Sequence, residues 1–194
     1  MKRFKFLAII LTVVFCFSLT ACNDDKPTDW SSVKTLVAYF SCTNHTENIA
    51  NYISEITGST LYKITPAVPY TSADINHNNE TCRANIEQND ENCRPEISGS
   101  VENMQDYDVV FVGYPIWWGQ APKIIYTFIE KYKTQLEGKT IIPFCTSGSS
   151  PIGTSASNIH NSAPLAKWDD GMRFASSATK SSVNDWISAL VLSL

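Results

Sequence analysis

The chain predicts an α/β fold, a three-layer αβα sandwich built on a five-stranded parallel sheet. Short apolar runs alternate five times with stretches of helical periodicity, the pattern of strands joined by crossover helices. Three of the predicted strands lead into unusual loops, at 41–46, 114–120 and 146–153, rich in hydroxyls, aromatic rings or glycine. Loops that follow strands in an open parallel sheet meet at one edge, where ligands of such folds bind. A chain of 194 residues suits one domain with a real core.

Each element has its own signal. Residues 34–40 read as a buried strand, with Leu36, Val37, Ala38, Tyr39 and Phe40 uninterrupted. A helix from about Thr46 to Thr57 places Ile49, Ala50, Ile53 and Ile56 on one face, and Gly58 ends it. Thr60 to Ile64 forms a second strand, after which Pro66, Pro69, Tyr70 and Ser72 mark a turn. Ala73 to Ser100 is polar and reads as a surface excursion, helical over roughly Asn78 to Gln88 and closed by Pro95. Val109 to Gly113 is a third strand, followed by a helix from about Pro122 to Tyr132. Thr140 to Cys145 is the fourth strand, with a short helix near 154–161. Gly171 to Phe174 is the last strand. Ser181 or Ser182 caps a final helix whose stripe is Val183, Trp186, Ile187, Leu190 and Val191.

The first residues stand outside this pattern. Lys2, Arg3 and Lys5 precede an apolar run from Phe6 to Leu19, then Leu19-Thr20-Ala21-Cys22. A basic start, a short apolar run and a small-residue site make an export signal, too short for a comfortable membrane span. The tetrad resembles a bacterial lipoprotein signal, which implies cleavage after residue 21, a lipid on Cys22, a tether over 22–32 and a domain over 33–194. Without residues 1–21 the basic count falls from 15 to 12 against 19 acidic residues, a net charge near −7. That balance argues against nucleic acid, which calls for basic stripes. Cys82 and Cys93 share one polar segment, close enough for a local disulfide in an exported protein. No cysteine pair has zinc-ligand spacing, and three histidines give a metal site little support.

The loops carry the chemistry. In Tyr39-Phe40-Ser41-Cys42-Thr43-Asn44-His45-Thr46, hydroxyls surround the start of a helix whose free N–H groups point back into the loop. Such a loop holds a dianionic phosphate without Lys or Arg, or is simply a helix cap. The loop Tyr114-Pro115-Ile116-Trp117-Trp118-Gly119-Gln120 is bulky for a connector. Adjacent tryptophans cannot both enter the core, so one faces a flat guest or a protein partner. Thr146-Ser147-Gly148-Ser149 offers hydroxyls and close backbone approach to the rim of a heterocycle, or is a glycine turn.

Together these motifs resemble the flavodoxin family. The first loop is similar to that family's phosphate loop, tyrosine-phenylalanine-serine-any-threonine-glycine-asparagine-threonine. Gly113-Tyr114-Pro115-Ile116-Trp117-Trp118-Gly119 looks like its loop beside the flavin ring, and Phe144-Cys145-Thr146-Ser147-Gly148-Ser149 like its third loop. The resemblance spans roughly 34–192 and implies strand order 2-1-3-4-5 and non-covalent FMN. By position, Ser41, Thr43, Asn44, His45 and Thr46 would hold the phosphate. Pro115, Ile116, Trp117 and Trp118 would flank the ring, and Thr146, Ser147 and Gly148 would line its far side. Asn44 replaces the usual glycine, so this position would need a left-handed backbone. His45 replaces asparagine, and Ser150-Pro151 replaces a more glycine-rich run.

Other readings fail on residues. Gly138-Lys139-Thr140 lacks the preceding glycine of a Walker loop and precedes a strand. Cys42 has no arginine in its loop to bind a phosphoryl group, and Gly148-Ser149-Ser150 lacks the second glycine of a nucleophile elbow. The expectation is therefore an FMN-binding electron carrier of the bacterial envelope, anchored by lipid, serving a redox partner protein or small electron acceptor. The alternatives are an NAD(P)H-dependent FMN quinone reductase, or a binding module of the same fold without FMN.

Overall fold

In a computed structural model, residues 28–192 are described. The expected signal, Cys22 and the first part of the tether lie outside the described residues. In chain order the elements are β1 (Thr35–Tyr39), α1 (His45–Thr57), β2 (Thr60–Lys63), β3 (Thr65–Pro66), α2 (Arg83–Asn89), β4 (Ile97–Ser98) and β5 (Val109–Pro115). After these come α3 (Lys123–Lys131), β6 (Thr140–Thr146), α4 (Gly153–His160), β7 (Lys167–Trp168), β8 (Met172–Phe174) and α5 (Lys180–Ala189).

The main sheet runs β2-β1-β5-β6-β7, with β8 also on β6, and every pairing is parallel. Counting crossover strands, this is order 2-1-3-4-5. Alternation along the strands sorts the core into two layers. Leu36, Ala38, Val110, Val112 and Ile141 face Ile124, Ile125, Phe128 and Ile129 of α3 and Ile159 of α4. Val37, Val109, Phe111 and Ile142 face Ile49 and Ile53 of α1 and Val183, Trp186 and Ile187 of α5. The sheet is thus covered on both faces, as continuous apolar strands require.

The fifth strand departs from the expected single run. It breaks into β7 and β8 beside Pro143, which has no N–H to give a neighbouring strand. Gly171 lies in the gap at φ 74°, where a Cβ would sit 2.1 Å from the Pro143 carbonyl oxygen. The last helix also differs. Thr179 is its cap, in a capping box with Ser182, so neither Ser181 nor Ser182 plays that part. Val191 lies beyond α5 and is 49% exposed, so it drops out of the apolar stripe.

The polar excursion is more structured than its composition implies. The antiparallel pair β3 and β4 closes its base, and α2 starts at Arg83 rather than near Asn78. Cys82, Ala84 and Asn85 are buried beneath it. Cys82 and Cys93 are free thiols, so the bridge expected from the sequence is not formed in this structure.

Gly113 is fixed by its neighbour across the sheet, because a Cβ there would lie 2.1 Å from Cζ of Phe144. Gly113→Ala should lower stability by about 1–3 kcal/mol in urea unfolding, the usual cost of overpacking. Gly148→Ala, which meets nothing within 4 Å, should leave the midpoint nearly unchanged.

Candidate functional site

The three loops meet at the carboxyl edge of the sheet, and Thr146 joins them. Its hydroxyl shares a 2.8 Å hydrogen bond with that of Thr46, and its carbonyl accepts from Ile116 N–H at 2.9 Å. Both threonines are buried.

The first loop turns into α1 through Asn44, which takes the left-handed conformation at φ 64°. The departure from glycine therefore falls where that geometry is needed, and asparagine is the side chain that tolerates it best. Asn44 makes no side-chain cap, so it does not occupy the first-turn N–H groups of α1. Glu47, also in this turn, accepts from Lys63 Nζ at 2.9 Å and from the Tyr39 hydroxyl at 3.1 Å. The Lys63 bond holds its carboxyl below the usual range, and burial with Glu47 pushes the Tyr39 hydroxyl up to about 12. The carboxylate nearest the helix start is thereby paired.

The second loop is a two-residue hairpin. Trp117 and Gln120 exchange N–H to carbonyl bonds, both 3.0 Å, around Trp118 at φ 46° and Gly119 at φ 76°. Positive φ at both central residues is the primed turn that matches strand twist. A tryptophan there costs about 1–2 kcal/mol in backbone strain. The turn separates the two indoles as expected: Trp117 packs inward, and Trp118 is 43% exposed.

The excursion holds Trp117 in place. Its ring stands edge-on to Phe40 at 5.4 Å and to Tyr70 at 5.3 Å. Tyr70 is fixed in turn by its hydroxyl on Glu87 and by the Arg83 guanidinium 4.0 Å above its ring, and Arg83 pairs with Glu87 at 2.6 Å. Gln88 donates to the carbonyls of Trp117 (3.1 Å) and Ala121 (3.3 Å) and accepts from Lys123 N–H (3.2 Å). One helix thus fixes both the ring and the backbone of Trp117.

A cleft of about 430 Å³ opens between these parts. Cys42 and Thr43 line it from the first loop, Pro115, Ile116, Trp117 and Trp118 from the second, and Ile75 and His77 from the excursion. Ser41, Asn44, His45 and Thr46 adjoin that lining at the head of α1 without forming part of it. Burial pushes the Cys42 thiol up to about 11 and the Cys145 thiol up to about 12, so both are neutral thiols near pH 7. The third loop is pinned from behind. Arg173 donates to the Ser147 hydroxyl (3.1 Å) and to the carbonyls of Ser147 and Gly148 (2.7 Å each). Ser147 N–H bonds the Phe174 carbonyl, so Ser147 is fully engaged, while Gly148 is exposed. No residue of that loop lines the cleft. Among the described residues no cluster of His, Cys, Asp or Glu is arranged to hold a metal.

Tyr70, Ile75, His77 and Gln88 were not expected at the site. Periodicity gives no sign of them, because they belong to a segment that buries little; only the lone aromatic Tyr70 among turn residues hints at a packing role.

The family model described as Flavodoxin matches residues 34–190. The chain belongs to the flavodoxin family. Among solved structures, this flavodoxin-family chain is similar to a candidate flavoprotein from Bacteroides eggerthii, at 43% identity and TM-score 0.77, over 83% of this chain and 99% of that one. A candidate flavoprotein from Bacteroides uniformis is 38% identical, at TM-score 0.74 over 80% and 97%. A flavoprotein from Lactobacillus acidophilus, solved in complex with FMN, shares the fold at 24% identity and TM-score 0.60, over 80% and 99%. No curated protein matches the chain.

Thr46→Val should cost about 1–3 kcal/mol in thermal or urea unfolding, because it strands the buried Thr146 hydroxyl. The double variant Thr46→Val/Thr146→Val should recover much of that loss, which a double-mutant cycle measures.

Proposed function

We propose that the chain is an FMN-dependent electron carrier, tethered through lipid on Cys22 to the extracytoplasmic face of a bacterial envelope membrane. One observation carries the reading: a tryptophan-walled cleft adjoins the N-terminus of a helix that its own cap residue leaves unbonded. FMN is a flat heterocycle with a dianionic phosphate, and the two halves of the site suit its two ends.

Ser41, Thr43 and the first-turn N–H groups from Asn44 to Thr46 hold the phosphate. Thr46 contributes through the backbone, since its hydroxyl is engaged with Thr146. Pro115, Ile116, Trp117 and Trp118 flank the ring and exclude water from it. Thr146 and Ser147 shape the third loop, and Arg173 holds the carbonyl of its exposed Gly148. Bound FMN would supply electron transfer at its ring, and the protein sets affinity and potential.

The anchor bears on the partner. Thr28 hydrogen-bonds the Leu190 carbonyl through its N–H (3.3 Å) and hydroxyl (2.9 Å), at the sheet edge opposite the cleft. From Cys22 to Thr28 the chain reaches at most about 20 Å. A lipid at Cys22 would thus attach the domain at the edge away from the cleft, leaving the cleft accessible to a redox partner protein or small electron acceptor.

The mature domain should quench FMN fluorescence saturably on titration. Trp117→Ala should weaken binding by about tenfold or more from lost ring contact, and Tyr70→Leu should weaken it by releasing the Trp117 ring. A colourless protein that leaves FMN fluorescence untouched would favour a binding module without FMN. Bleaching of the flavin band by NADH or NADPH would replace the carrier reading with the reductase.

A further inference from the structure

A second basin of about 490 Å³ adjoins the cleft, lined by His77, Glu80, Asn85, Asn89 and Trp118. His77 and Trp118 border both hollows, so the two share a wall. That wall includes the exposed indole of Trp118, held at positive φ by the hairpin.

The facing wall is α2. Asn85 and Asn89 stand four residues apart on one helical face, and Asn89 Nδ2 donates to Asn85 Oδ1. Asn85 is only 9% exposed, yet its Nδ2 has no partner among the described residues and is not sealed from solvent. Open to solvent and unbonded within the described residues, this donor is available to a ligand. Beside it the Asn89 carbonyl oxygen is an acceptor with no partner among the described residues, and the bond between the two amides fixes their relative position. A free donor next to a free acceptor is matched by a group carrying a carbonyl and an N–H side by side. Trp118 supplies a flat apolar surface, and the lining contains Glu80 but no Lys or Arg, which disfavours an anionic ligand.

The geometry points to a binding subsite in this basin for a flat, uncharged or cationic ring bearing an amide, either a carboxamide or a lactam. The ligand's role as an electron partner rests on the FMN reading; its binding does not. Two sources share this chemistry, the nicotinamide ring of a coenzyme and a free heterocyclic amide.

Chemical-shift titration of isotope-labelled protein, apo and FMN-saturated, with benzamide and with acetophenone tests it. Benzamide should move the Trp118 indole and the Asn85 and Asn89 side-chain signals saturably in both forms. Acetophenone, which keeps the ring and carbonyl but lacks the N–H, should bind about tenfold more weakly. Asn85→Leu should reduce benzamide to the level of acetophenone while FMN affinity holds. Asn89→Leu, at an exposed position, should do the same even if the first variant fails to fold. Nicotinamide mononucleotide binding at least as well as nicotinamide marks the coenzyme source; weaker binding marks a free amide. Equal binding of benzamide and acetophenone, the absence of saturation, or an unaffected Asn89→Leu would overturn the subsite. Failure of FMN to bind would defeat the cofactor reading alone, since the apo titration still decides the basin.

Discussion

Thr146 is the residue on which the site depends. Its hydroxyl meets Thr46 at the head of α1, and its carbonyl receives Ile116 N–H from the tryptophan loop. The parallel sheet brings the three loops to one edge, but only to within strand spacing. The Thr146 contacts convert that proximity into a fixed geometry, from the last residue of β6. Because both hydroxyls are buried, neither can turn to water, and the loops cannot separate without stranding polar groups.

The site is also where the backbone is strained. Of the three non-glycine residues at positive φ among the described residues, Asn44 and Trp118 are both here. Each does something a relaxed residue would not. Asn44 turns the chain so that the first-turn N–H groups of α1 face the loop without a cap of their own. Trp118 completes a two-residue hairpin that sets one indole into the aromatic cluster and the other against solvent. The excursion supports this from outside: α2 supplies Gln88 to the hairpin backbone, and Arg83 and Glu87 to Tyr70, which steadies Trp117.

The sheet was legible in the sequence because its strands are buried on both faces and read as uninterrupted apolar runs. The three loops were legible because each breaks the expected composition of a connector. Asn44 announced its left-handed backbone through the residue it replaces. What was hidden has physical causes. The fifth strand splits beside Pro143, a break set by a neighbouring strand and not by the strand's own residues. Thr179 caps α5 although two serines follow it, a choice between equivalent hydroxyls that only geometry makes. The excursion's role was invisible because Tyr70 and Gln88 act through long-range ring contacts and hydrogen bonds, which leave no periodicity. Likewise Ser147, polar and well placed in the sequence, is consumed by Arg173, a partner 26 residues away.

The central claim is that the uncapped start of α1, with Ser41 and Thr43, binds a phosphate while the tryptophan loop binds a ring. Comparing the affinities of FMN and riboflavin, which differ only in that phosphate, measures it directly. Two or more charge-assisted hydrogen bonds to the phosphate predict that FMN binds about 100-fold tighter or more. Equal affinity for the two would contradict the account, since it would leave the head of α1 with no part in binding.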